Sequence, residues 1–120
     1  MSDTLGCAII YRWRLKPGKE DQFREAWSRV TRLLMEQHGA LGSRLHTAND
    51  GLVVAYAQWP SREARDASAA LEPVDRRASE AMADAIASAE SPIFLTPVED
   101  HLVPIAARAP SPPSIRTRPT

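Results

Sequence analysis

Five of the seven aromatic residues in this 120-residue sequence occur at positions that could place them on the same face of a fold. These are Tyr11, Trp13, Phe23, Trp27 and Trp59. Such a cluster can form apolar walls for a flat ring, while phenol and indole groups donate hydrogen bonds to a ring oxygen that becomes anionic. Tyr11 is the best-placed polar group of the set. The simpler alternative is that the rings only fill a hydrophobic core, because apolar periodicity does not distinguish a packed core from a cavity.

The apolar pattern predicts the elements that would position these rings. Side chains alternate from Ile9 to Leu15, as in a strand with one apolar face, and Phe23, Trp27 and Val30 recur at helical spacing. In chain order the sequence predicts strand 7–15, helix 19–38, strands 41–47 and 52–59, helix 61–70, a helix from Pro73 that includes Ala89, and an extended segment 93–103. This β-α-β-β-α-β order predicts a ferredoxin-like α+β fold, a four-stranded antiparallel sheet with its helices on one face.

Length and composition limit the classes of protein that remain. A chain of this size makes one domain, which we place at residues 1–103, followed by a Pro-rich tail or arm at 104–120. Fifteen Lys and Arg balance fifteen Asp and Glu, so neither nucleic acid nor an anionic membrane surface is an expected partner. The single cysteine, Cys7, cannot form an intramolecular disulfide, and the first residues lack a secretory pattern, which together predict a cytoplasmic protein.

The two faces of the predicted sheet differ in character. The helix-facing side of the third strand carries Val53, Ala55, Ala57 and Trp59, and the two alanines leave room there. The opposite face carries Arg12, Arg14, Arg44, His46, Tyr56 and Gln58, joined by Glu99 and His101 if Val98 and Leu102 point to the helices. We interpret this polar face as a homodimer interface whose arginines pair with Glu99 or with partner carboxylates. The alternative is a site between subunits for a small carboxylate or phosphate.

The remaining charged residues and histidines predict little chemistry. Arg62, Glu63, Arg65 and Asp66 have the spacing of a solvated helix face. His38, His46 and His101 lack the short spacing of metal ligands, so no metal site is expected, and the helix dipole explains a histidine at position 38.

Four segments in order give the sequence its resemblance to a known family. They are residues 12–19 (RWRLKPGK), Phe23 with Trp27, residues 39–45 (GALGSRL) and residues 56–61 (YAQWPS). Over roughly residues 8–103 the chain resembles the antibiotic biosynthesis monooxygenase family, small proteins whose two sheets close into a dimeric α+β barrel. The family includes cofactor-independent oxygenases of polyketide quinols and haem-degrading enzymes.

The resemblance implies a pocket between the sheet and its own helices, with Trp59 at a matching wall position. It implies oxygenation of a small aromatic substrate whose own anion gives an electron to O₂, with no cofactor. Haem degradation is not expected, since Tyr11 and Ala69 stand where that subgroup carries an Asn and a His ligand.

We therefore predict a monooxygenase site with Tyr11 and Trp59 as catalytic residues. The predicted substrate-binding residues are Trp13, Phe23, Trp27, Ala55 and Ala57. No histidine or carboxylate falls clearly on this face, so a general base is missing. The alternative function is a non-catalytic dimeric module that binds a small ligand or serves only assembly.

Overall fold

The structure, a computed structural model, describes residues 6–103, so the predicted tail lies outside the described residues. Five strands and three helices form in this part of the chain. In order they are β1 (Cys7–Leu15), α1 (Glu20–Gln37), β2 (Gly42–Thr47), β3 (Val53–Trp59), α2 (Arg62–Ala69), α3 (Arg76–Ala85), β4 (Ile86–Ala89) and β5 (Ile93–Leu95).

The sheet confirms the predicted ferredoxin-like arrangement. Its strand order is β2-β3-β1-β4, every pairing is antiparallel, and β5 also pairs with β1. Strands β4 and β5 lie along the same edge of β1, opposite Trp13–Leu15 and Ala8–Ile10 respectively. Together they occupy the position of the fourth strand, interrupted at residues 90–92, where Pro92 has no N–H to donate to the ladder.

The end of the domain differs from the prediction in two ways. The third helix ends at Ala85, and Ala89 pairs with Trp13 in β4, so the expected helix through Ala89 was wrong. The backbone N–H and C=O groups at the free edge of β1 need hydrogen-bond partners. Pairing with residues 86–89 satisfies them, and this outweighs the helical preference of that short Ala-rich segment. The expected strand over residues 93–103 was also wrong, because β5 ends at Leu95 and the side chains of Val98 and Leu102 are exposed rather than turned to the helices.

The core lies between the sheet and the helices in two clusters. One cluster is built from Cys7, Ile9 and Trp59, and the other from Phe23, Val53 and Ala85. Strand β3 alternates buried and half-buried residues along its whole length, as its sequence predicts. The inner face of the sheet is therefore covered by helices, and the outer face is left open.

Candidate functional site

A cavity of about 210 Å³ lies between the inner face of the sheet and α1. We call it the aromatic cavity, because Tyr11 and all three tryptophans of the chain line it. Small residues of the sheet also line it: Ala57, Ser43 and Gly42, whose φ of +128° favours glycine. The rings thus face an open space rather than a closed core.

The predicted substrate-binding residues divide between wall and core. Trp13, Trp27 and Ala57 line the aromatic cavity, as do the predicted catalytic residues Tyr11 and Trp59. Phe23 and Ala55, each 1% exposed, lie in the core and not among the lining residues.

Ring packing holds the cavity walls in place. Tyr11 stacks on Trp13 with ring centroids 5.8 Å apart and planes 5° from parallel. Phe23 supports the same indole at 5.0 Å and 59°. Phe23 therefore acts through Trp13, whose orientation it fixes, since such ring contacts favour particular geometries.

The Tyr11 hydroxyl has a charged neighbour that the sequence did not indicate. Nη2 of Arg65 donates a hydrogen bond to its oxygen at 3.2 Å, so this contact uses the oxygen as an acceptor and does not use the phenol proton. The side chain of Arg65 is only 22% exposed, so its assignment to a solvated helix face was wrong. Burial opposes the charge of Arg65, but the contacts with Tyr11 and Asp66 outweigh it, and the pKa of the guanidinium is raised.

The position of Arg65 follows from the way α2 begins and packs. Ser61 caps the helix by accepting a hydrogen bond from the backbone N–H of Ala64 at 3.0 Å. Ala64 and Ser68, four residues apart, turn toward the sheet, and Arg65 follows directly after the first of them. Ala67, Ala69 and Ala70 are equally small and yet exposed, so no pattern in the sequence identified Arg65 as an inward residue.

A second cavity of about 260 Å³, which we call the side cleft, adjoins the aromatic cavity. Tyr11 and Trp59 are among the walls the two cavities share, while Arg65 lines only the side cleft. Here Nδ1 of His38 lies 2.7 Å from Oγ of Ser68, a side chain that is 9% exposed. His38 is thus bonded to α2 as well as ending α1, a contact that its sequence position did not predict.

The outer face of the sheet brings the predicted interface residues together. Arg12, Arg44, His46, Tyr56 and Gln58 are neighbours through the strand register. Two arginines are already engaged within the chain: Arg12 donates to the carbonyl of Ser91 at 3.1 Å, and Arg14 binds the Asp50 side chain at 2.8 Å. Within the chain Glu99 contacts His101 at 2.6 Å, and its pairing with arginines at a dimer interface stays a prediction.

Within residues 6–103, no group of three or more His, Cys, Asp or Glu side chains is placed to hold a metal ion. The described helices also include none that is long and apolar enough to cross a membrane. Cys7 is buried in the core beside Trp59.

Comparison with known proteins gives one family match and many similar folds. A family model described as antibiotic biosynthesis monooxygenase matches residues 7–87. A comparison with curated proteins finds no match.

Among solved structures, the chain resembles SnoaB, a cofactor-independent oxygenase from Streptomyces nogalater, with a TM-score of 0.68 and 16% identity over 82% of this chain and 98% of that one. It also resembles a monooxygenase from the gene ActVA-Orf6 of Streptomyces coelicolor in complex with nanaomycin D, with a TM-score of 0.66 and 22% identity over 83% and 94%. Rv0793 from Mycobacterium tuberculosis has a TM-score of 0.65 and 18% identity over 80% and 98%. At these identities the structural likeness establishes the fold.

Proposed function

Because the chain belongs to the antibiotic biosynthesis monooxygenase family, we propose that it is a cofactor-independent monooxygenase of a small aromatic substrate of the quinol or anthrone type. The aromatic cavity carries this proposal. Its walls offer aromatic surfaces for stacking and include the phenol of Tyr11, whose oxygen accepts a hydrogen bond from Arg65. The similar structures include a cofactor-independent oxygenase and a monooxygenase in complex with the ligand nanaomycin D, which supports an oxygenase that binds a small molecule.

The proposed reaction uses the substrate itself as the reductant. An ionised anthrone transfers one electron to O₂, the radical pair combines at the ring carbon to give a peroxide, and loss of water leaves a carbonyl. One oxygen atom enters the product and the other leaves as water. The protein must therefore bind the ring, favour its anion and exclude bulk water.

Tyr11 and Trp59 are the proposed donors to the substrate oxygen. A hydrogen bond to an oxyanion favours the ionised form and so lowers the pKa of the substrate. The positive charge of Arg65, one hydrogen bond behind Tyr11, acts in the same direction. Trp13, Trp27 and Ala57 shape the space for the ring, and Phe23 and Ala55 support it from the core.

The test is oxygen uptake with 1,8-dihydroxyanthrone, corrected for spontaneous oxidation without protein. Trp59→Phe keeps an aromatic wall but removes an N–H donor, so we expect kcat to fall about 10²-fold with the fold retained. Trp27→Phe is the matched control and is expected to change mainly KM, because Trp27 serves as a wall. Unchanged turnover in Trp59→Phe would exclude the donor role, and oxygen uptake at the spontaneous rate in the unmodified protein would refute the activity.

One observation favours a second function, a non-catalytic module that binds a small ligand. Among the described residues, no acidic or basic side chain lines the aromatic cavity, so nothing on its walls could accept a substrate proton. This function predicts that the cavity binds rings without consuming oxygen and that Trp59→Phe changes only affinity and stability.

We also propose that the chain forms a homodimer through the outer face of the sheet, as its polar pattern suggests. That face is open in the single chain, and β5 adds Ile93 and Leu95 to it, 40% and 37% exposed. Two such faces would bury these apolar side chains against each other, with the polar residues setting the register. The buried single cysteine fits the proposed location in the reducing cytoplasm.

Mass measurement in solution tests the dimer, and a monomer at micromolar concentration would overturn it. Arg12→Glu and Arg44→Glu reverse the charge at two positions of the proposed interface and should weaken the dimer. Arg77→Glu, on an exposed position of α3, is the control and should leave the mass unchanged.

A further inference from the structure

The side cleft is the polar neighbour of the aromatic cavity. A ring bound among the tryptophans would have Tyr11 at its edge, and beyond Tyr11 lies the guanidinium of Arg65. His38 and Ser68 add polar atoms to the wall of the same cleft. A substituent on this edge of the ring would therefore meet a positive charge and hydrogen-bonding groups.

Arg65 is held in place but retains unused donors. Of its five N–H groups, one binds Tyr11 at 3.2 Å and one binds Asp66 at 3.4 Å. Its Cζ lies 5.1 Å from the centre of the Phe94 ring, a cation–π contact that restricts the side chain. A positioned guanidinium with free donors suits a planar carboxylate, which it can bind with two parallel hydrogen bonds.

The charge around Arg65 is not neutralised by its neighbours. Asp66 is shared between two guanidiniums, since it also accepts a hydrogen bond from Arg62 at 3.2 Å. In the described part of the chain, Glu72 is the one carboxylate on the wall of the side cleft. Glu72 is 85% exposed and is bound to Arg76 at 2.6 Å. An excess positive charge therefore remains beside Tyr11.

We propose that the side cleft binds a carboxylate carried by the aromatic ligand, so that the natural ligand is an aromatic carboxylic acid. The inference rests on the proposed function only in placing a ring in the aromatic cavity. It adds the second anchoring point: the ring lies among the tryptophans, and its carboxylate contacts Arg65.

All three tryptophans line the aromatic cavity, so quenching of intrinsic fluorescence measures ring binding directly. The probes are 2-naphthoate and 2-naphthamide, which match in ring and size and differ in charge. We expect the unmodified protein to bind the carboxylate about tenfold more tightly than the amide, the order of a charge-assisted hydrogen bond at a partly exposed site. Arg65→Gln should make the two affinities equal.

Arg77→Gln is the control. Arg77 lies at an exposed position of α3 and lines neither cavity, so this variant also removes one positive charge but should keep the tenfold preference. If Arg65→Gln does not fold, the Arg65→Lys variant and the salt dependence of binding to the unmodified protein test whether Arg65 binds the carboxylate. The lysine variant should keep part of the preference, and raising NaCl from about 50 to about 500 mM should weaken only naphthoate binding.

The outcomes separate this inference from the proposed function. Equal affinity for the two probes in the unmodified protein, or a preference that persists in Arg65→Gln, would overturn the carboxylate site and leave the oxygenase untouched. A carboxylate preference without oxygen uptake would support the site and refute the activity. Failure of both probes to bind would overturn the carboxylate site together with the ring site beneath it.

Discussion

Substitution of Tyr11 by Phe removes one oxygen atom from the aromatic cavity and should separate catalysis from stability. The ring stack on Trp13 remains, and the lost contact is a single hydrogen bond of 3.2 Å to a guanidinium that still reaches solvent. We expect the free energy of unfolding to fall by about 1 kcal/mol. If the phenol donates to the substrate oxyanion, kcat should fall about 10²- to 10³-fold, as for other donors that act on a developing oxyanion.

Oxygen uptake with 1,8-dihydroxyanthrone and thermal unfolding measure the two effects in the same samples. A loss of about 1 kcal/mol lowers Tm by about 4–8 °C in a domain of this size, which leaves the protein folded at assay temperature. Tyr56→Phe is the matched control: it removes the other tyrosine hydroxyl, which accepts a hydrogen bond from Gln58 at 3.4 Å on the outer face. Tyr11→Phe activity within about threefold of the unmodified protein would refute the donor role, because removing a donor from the oxyanion costs far more.

Two further predictions concern the helices that carry the site. Ser61→Ala removes the N-cap of α2, so the free energy of unfolding should fall by about 1 kcal/mol in urea titrations, and an unchanged midpoint would contradict this. Hydrogen bonds from Lys19 and Gln22 lower the pKa of Asp84 from 3.8 to about 2. The contact of Asp84 with Lys19 and Gln22 therefore raises the free energy of unfolding above pH 3.8, and this contribution is lost as the pH falls toward 2. Asp84→Asn should flatten the acid limb of stability between these values, and an identical pH profile would exclude the contact.

Strands β1, β2 and β3 and the first helix could be predicted because their patterns have one interpretation. Alternation in β1 and β3 can bury only one face of a sheet, and residues 48–51, which include Asn, Asp and Gly, form a tight turn between β2 and β3. The end of α3 could not be predicted, since Ala78, Met82, Ala85 and Ala89 continue the helical spacing without a break. What ends the helix at Ala85 is the edge of β1, a partner that is remote in sequence.

The candidate site could be predicted in its aromatic half and not in its polar half. The rings recur on elements whose inner faces were evident, so their convergence follows from the fold. Arg62 and Arg65 have equivalent surroundings in the sequence, both near Asp66, and the charge pattern favours neither as the inward residue. Ala64 and Ser68 pack against the rest of the fold, and this packing turns Arg65, not Arg62, toward Tyr11.

The open space of the aromatic cavity also depends on how residues pack and not on the sequence pattern alone. Large rings alone predict a core, and a closely packed core would have left no room for a ligand. Ala40, Gly42 and Ala57 line the same cavity as Trp27 and Trp59 and fill little volume, which leaves space among the rings. The rings supply the binding surface, and the small residues contribute the space for a ligand.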